Sequence, residues 1–175
     1  NQFSKTGFPD TVLSAVEIQD VEKISVSTEA NYKFTTDNNG AFKEVTQTTL
    51  RMYIYVDADT YNFYLDHGYD FSIVMYNTAK GKSSTVDSSS MSVEYDVEKD
   101  AYVFNVALNI PNTQYSTKLD ISLIARNGSN SDETIKVSVS YQEAAQSLYD
   151  TYLDGKVILN NKQVAALKSI LNIVD

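Results

Sequence analysis

The chain has no cysteine, no tryptophan and one histidine among 175 residues. Thiolates and imidazoles supply most nucleophiles, neutral-pH bases and transition-metal ligands, so few reaction types remain open, carboxylate chemistry among them. The lack of tryptophan argues against a typical sugar-stacking platform, although thirteen tyrosines can take that part. No apolar run approaches the roughly 18 to 20 residues that cross a bilayer as a helix, and no membrane insertion is expected. The first residues, Asn1-Gln2-Phe3-Ser4-Lys5, lack the basic-then-apolar layout of a signal peptide, so any export signal is expected to have been removed. Basic residues are also scarce. With 14 against 23 acids the formal charge is −9, which disfavours nucleic-acid phosphates and anionic lipid as partners.

What is present describes an ordinary globular protein: 42% hydrophobic and 21% charged residues, enough to bury one sizeable core. Many Ser, Thr and Asn, no tryptophan and no thiol resemble, in composition, the secreted proteins of Gram-positive bacteria.

Periodicity sets the organisation. Residues 1–10, with Gly7 and Pro9, read as an extended lead-in. Residues 11–20 favour a short helix. From Val21 the pattern turns to strand, through Ile24, Val26, Tyr32 and Phe34, up to a hairpin turn at Asp37-Asn38-Asn39-Gly40. The clearest strand is 46–57, with Leu50, Met52, Ile54 and Val56 on one face and Arg51, Tyr53, Tyr55 and Asp57 on the other. A strand at 69–76 places Phe71, Ile73 and Met75 opposite Val74 and Tyr76. Residues 77–90 read as a long exposed loop. Hairpins follow at 91–108, across Glu98-Lys99-Asp100, and at 119–139, across residues 127–132. Pro111 ends a strand. From Tyr141 the period becomes helical, with Ala144, Ala145, Leu148, Tyr149 and Tyr152 on one face and Gly155 as the stop. A second helix capped by Asn160 or Asn161 carries Val164, Leu167, Ile170 and Leu171.

These readings predict a mostly β, sandwich-like (immunoglobulin-like) domain of antiparallel sheets over 11–140, with two short C-terminal helices at 141–175 packed on it. The alternative is an α+β domain, in which 11–20 and both helices cover one sheet face.

Two overlapping constellations lie between the strands at 46–57 and 69–76. Asp57, Asp59, Asp66 and Asp70 place four carboxylates around a supposed loop, and hard oxygen ligands at short spacing suit calcium. The spacing lacks the central glycine and terminal glutamate of an EF-hand loop, so a solvated acidic loop is the competing reading. Tyr61, Phe63, Tyr64 and Tyr69 surround His67, and flat rings beside amides and carboxylates suit sugar C–H faces and hydroxyls. Packing under the loop is the competing reading for the rings, as a turn residue is for His67. Tyr53 and Tyr55 either lie beneath the C-terminal helices or form an exposed stripe. Asn127-Gly128-Ser129 has the form of a glycosylation sequon but reads as turn chemistry. Glu94, Asp96, Glu98 and Asp100 read as a solvated sheet edge. No catalytic residue and no cofactor beyond calcium emerges.

Three segments carry a family resemblance: Asn109-Ile110-Pro111-Asn112-Thr113-Gln114-Tyr115, the strand from Leu119 to Arg126, and Val137-Ser138-Val139-Ser140-Tyr141-Gln142-Glu143-Ala144-Ala145. Together they resemble the extracellular β-sandwich modules of multi-domain surface proteins of Firmicutes, the Gram-positive anaerobes. The resemblance implies location and architecture, with no catalytic residues to carry over. The expected function is therefore that of a secreted, non-enzymatic cell-surface module, active in adhesion or carbohydrate binding. It would bind glycan or a host protein, or space the neighbouring domains of a longer chain. The alternative is a carboxylate-dependent hydrolase of extracellular polymers, built on acids between Asp57 and Asp70.

Overall fold

The computed structural model describes residues 13–18, 21–26, 29–133 and 137–174. The lead-in expected at 1–10 lies outside them. The chain is mostly β; the described residues form ten strands in two five-stranded antiparallel sheets and four α-helices. In chain order the elements are β1 (Leu13–Ile18), α1 (Val21–Val26), β2 (Lys33–Thr36), β3 (Phe42–Asp57), α2 (Ala58–Asp66), β4 (Asp70–Asn77), β5 (Lys82–Asp87), β6 (Ser92–Asp96), β7 (Ala101–Pro111), β8 (Leu119–Asn127), β9 (Asn130–Glu133), β10 (Val137–Val139), α3 (Tyr141–Leu153) and α4 (Asn161–Leu171). The first sheet runs β1-β3-β7-β6, with β2 also on β3; the second runs β10-β8-β4-β5, with β9 also on β8. Among the described residues no helix is long and apolar enough to cross a membrane.

The fold divides into two compact units. The first is built from Met52–Val106 and Lys118–Val139 together with the start of β1. It is a sandwich. Alternation turns Met52, Ile54 and Val56 of β3 and Phe104 of β7 inward, while Phe71, Ile73 and Met75 of β4 and Ile121, Leu123 and Ala125 of β8 oppose them. Phe71 meets Phe104 at 5.2 Å between ring centroids, which fixes the two inner faces against each other.

The second unit comprises Val16–Arg51, Ala107–Thr117 and Ser140–Asp175. Here helices supply the covering layer: α4 packs against α1 and α3, burying Val21 and Ile24 of the first, Ala144 and Ala145 of the third, and Ala166, Leu167 and Ile170 of its own face. Both long helices open with reciprocal caps. The Ser140 side chain accepts from the Glu143 amide while Glu143 accepts from the Ser140 amide, and Asn160 and Gln163 repeat the exchange. Lys43 O accepts from the Ser169 hydroxyl, tying α4 to β3.

The 46–57 strand, both predicted C-terminal helices, the stop at Pro111 and the 37–40 turn all appear where the periodicity puts them. In that turn Asp37 Oδ1 accepts the amides of Asn39 and Ala41, and Gly40 takes φ 79°, which a side chain would strain. Four local expectations are corrected. Residues 13–18 are strand rather than helix, because the segment pairs with β3. Residues 21–26 are helix rather than strand: Val21, Ile24 and Ser25 are buried at helical spacing, while Val26 is exposed. The supposed loop at 57–70 is largely α2. The supposed loop at 77–90 contains β5, paired with β4 without interruption from Ser72↔Asp87 to Asn77↔Lys82. An edge strand exposed on both faces has no apolar alternation to announce it.

Candidate functional site

The segment carrying the candidate acids and rings becomes a helix for local reasons. Asp57, extended at the end of β3, accepts the Thr60 amide at 3.1 Å and the Thr60 hydroxyl at 2.7 Å, so it is the N-cap of α2. No glycine or proline interrupts the nine residues that follow, and Thr60 and Tyr64 are buried one turn apart. Gly68, at φ 77°, then turns the chain into β4.

This geometry distributes the four carboxylates. Asp57 caps one end and Asp66 closes the other, so the helix separates their backbones by about 14 Å. Asp59 is exposed in the first turn and Asp70 is exposed at the start of β4. Among the described residues no three acid or imidazole groups gather in an arrangement able to hold a metal ion.

The four rings are brought together with others. Tyr61 stacks on Tyr102 at 4.0 Å and on Phe71 at 5.3 Å, reaching the interior of the sandwich. Tyr64 is buried edge-on to Phe63, Tyr69 and Phe71, and donates its hydroxyl to Asp132 Oδ2 at 2.5 Å. Phe63 and Tyr69 are half-buried. His67 is exposed; its Nδ1–H donates to Phe63 O at 2.7 Å, its ring lies 4.2 Å from that of Phe63, and its carbonyl accepts from Asn127 Nδ2. The Asn127 side chain of the sequon-like triplet thus anchors the loop after α2 to the end of β8.

Electrostatics assign the phenols a donor role. Burial first, then the Asp132 carboxylate, raises Tyr64 well above its ordinary value. Burial and the neighbouring Tyr102 raise Tyr61. Tyr95, at the solvent-exposed edge strand β6, is raised chiefly by its hydrogen bond to Asp100 at 2.6 Å. Phenols held protonated donate hydrogen bonds and cannot serve as bases at neutral pH.

Tyr53 and Tyr55 are half-exposed on the outer side of β3, and the Lys99 ammonium lies 5.1 Å from the Tyr55 ring centroid. The sequence reading gave Tyr76, Asp120 and Ser138 no binding role. Alternation along 70–77 does turn Tyr76 outward, but the strands that flank it are set by long-range pairing, for which the sequence carries no local signal. No protein-family model matches the chain, and no curated protein shows significant similarity to it.

Proposed function

We propose that this chain is a non-enzymatic module of a bacterial surface protein, displayed outside the cell, which binds a glycan or host protein through the sandwich surface or spaces neighbouring domains. The observation that carries this reading is the use made of the segment between β3 and β4. Asp57 is spent as a helix cap, Tyr61 as a stacked ring, Tyr64 as a donor to Asp132 and His67 as a donor to a backbone carbonyl. These groups hold a rigid scaffold together. A hydrolase of extracellular polymers needs two carboxyls about 5 to 10 Å apart across a cleft, whereas α2 sets Asp57 and Asp66 at its two ends.

The reading is tested by antibody labelling of intact cells expressing the full-length parent protein, beside a glycan array and an assay for released reducing ends on a panel of polysaccharides. Surface labelling without polymer cleavage is the expected result. Cytosolic retention, or cleavage abolished by substitution of Asp57, Asp59, Asp66 or Asp70, would overturn it. Surface labelling with no partner on the array or in host extract would narrow the role to spacing.

A further inference from the structure

Aromatic rings of the first unit touch in an unbroken series that ends at the protein surface. Between ring centroids Tyr69 lies 5.1 Å from Tyr64, Tyr64 5.9 Å from Phe71, Phe71 5.3 Å from Tyr61, Tyr61 4.0 Å from Tyr102 and Tyr102 5.2 Å from Tyr95. Tyr64 and Phe71 are buried, Tyr61, Tyr69 and Tyr102 are half-buried, and Tyr95 is 47% exposed on the edge strand β6. Packing accounts for rings that meet inside a sandwich. It does not account for the outer end.

There Tyr95 donates its hydroxyl to Asp100 Oδ1 at 2.6 Å. Asp100 takes φ 47°, a left-handed conformation that glycine or asparagine would fill as well; only aspartate brings a carboxylate to it. The turn is tied down, since Asp96 Oδ1 accepts the Lys99 amide and the Asp100 carbonyl accepts the Ala58 amide. A phenol paired with a carboxylate gives up an electron more readily, because an acceptor for its proton is already in place. Tyr64 is paired in the same way with Asp132, deeper in the series. Tyr55 is set in the opposite sense: the Lys99 ammonium, 5.1 Å from its ring centroid, opposes positive charge on that ring.

We infer that the series is a path for oxidising equivalents and that Tyr95 is its outlet, a modification site at which two copies of the chain are joined by oxidative coupling. This inference is independent of the surface-module reading. The oxidant is of the haem-peroxidase class, spending hydrogen peroxide. It takes one electron from Tyr95 as the phenolic proton passes to Asp100 and on to solvent, which leaves a neutral tyrosyl radical. Transfer between rings in contact is rapid, so Tyr64, when oxidised first, regains its electron through the series and its proton from Asp132. Two Tyr95 radicals, one on each copy, then form a carbon–carbon bond between ring positions next to the hydroxyls, and each ring returns its displaced hydrogen to oxygen. Two phenols thus lose two electrons and two protons, which convert one hydrogen peroxide into two waters.

The test exposes the intact chain to a haem peroxidase and hydrogen peroxide, read by denaturing electrophoresis, dityrosine fluorescence and mass-spectrometric mapping of the junction. A covalent dimer joined from Tyr95 to Tyr95 is expected. Tyr95→Phe is expected to lose it. Asp100→Asn, which suits the left-handed turn but removes the proton acceptor, is expected to form it at least about tenfold more slowly. Both positions are exposed, so neither substitution opens the core. Tyr55→Phe should couple as the parent does. Photochemically generated carbonate radical, small enough to reach half-buried rings, is expected to leave its oxidation at Tyr95 in the parent but at Tyr61 and Tyr69 in Tyr102→Phe. Absence of dityrosine, a junction at Tyr55 or Tyr76, or coupling of Tyr95→Phe like the parent would overturn the inference. So would an unchanged rate in Asp100→Asn, or an oxidation pattern that Tyr102→Phe leaves as it was.

Discussion

Tyr141 donates its hydroxyl to the Thr48 hydroxyl at 3.2 Å, with both side chains almost wholly removed from solvent. Tyr141 is the first residue of α3 and Thr48 lies in β3, so this bond ties a helix start to a strand within the second unit. Tyr115 reinforces it by stacking on Tyr141 at 4.7 Å and donating to Val45 O at 2.8 Å. Tyr141→Phe is expected to cost about 1 kcal/mol and Tyr141→Ala about 3 to 5, since only the second also opens a cavity. Urea denaturation of both variants, with Thr48→Val and the Tyr141→Phe/Thr48→Val pair, checks this. The double variant should cost less than the two singles combined, because it leaves neither hydroxyl stranded.

The neighbouring threonine behaves in the opposite sense. Thr49 is 4% exposed, and its hydroxyl has no hydrogen-bond partner among the described residues. Valine has nearly the same shape and strands no polar group, so Thr49→Val is expected to stabilise the protein by about 1 kcal/mol. A lowered melting temperature for this variant would show that the hydroxyl is satisfied in solution.

The sequence was most legible where burial follows one period over a long stretch. Leu50, Met52, Ile54 and Val56 announced β3, and the apolar face from Ala144 to Tyr152 and the cap at Asn160 or Asn161 announced the helices, because those signals are local. α1 was misread because six residues hold barely two turns, and Ile24 with Val26 satisfies alternation as well as Val21 with Ile24 satisfies helical spacing. β5 was missed because its pairing with β4 is made by backbone atoms while its side chains face water. Of the candidate site, the clustering of Tyr61, Phe63, Tyr64 and Tyr69 could be anticipated from proximity in the chain. That Asp57 would be a cap, and that Tyr64 would find Asp132, depended on α2 forming and on β9 arriving 68 residues later.

The Asp57 cap separates two roles for one carboxylate. Asparagine caps a helix about as well as aspartate but is a poorer calcium ligand, whereas alanine does neither. Asp57→Asn is therefore expected to melt within about a degree of the parent, and Asp57→Ala to lose about 1 kcal/mol. Addition of calcium or of a chelator should leave all three melting temperatures unchanged. A calcium-dependent rise in the parent that Asp57→Asn abolishes would restore the ligand role.

The raised phenols make stability fall at alkaline pH. In the unfolded chain tyrosine loses its proton near 10.0, but burial and the Asp132 carboxylate hold the Tyr64 proton to higher pH. The folded state then binds more protons than the unfolded one, so the contribution is complete below about pH 10 and is lost as pH climbs towards the raised folded value. Tyr61, Tyr115 and Tyr141, raised chiefly by burial, add in the same direction. Melting temperatures between pH 8 and 11.5 should decline above about 10, and Tyr64→Phe should make that decline shallower. Spectrophotometric titration should show a group of tyrosines that ionise only as the protein unfolds.

The C-terminal helices are part of the second unit's core. Deleting residues 141–175 removes Tyr141, Ala144, Ala145, Ala166, Leu167 and Ile170, all buried, and uncovers Ile24 and Thr48, which are fully buried in the intact chain. Each large apolar group exposed forfeits about 1.5 to 3 kcal/mol, and a few such losses consume the whole stability of an ordinary domain. A 1–140 fragment is therefore expected to bind a hydrophobic dye, lose its cooperative melt and associate in sedimentation. Helix deletion should be far more damaging than Ser140→Ala, which removes one side-chain cap and costs about 1 kcal/mol. A monomeric fragment that melts as the parent does would show that α3 and α4 stabilise something other than the strands and helix they touch here.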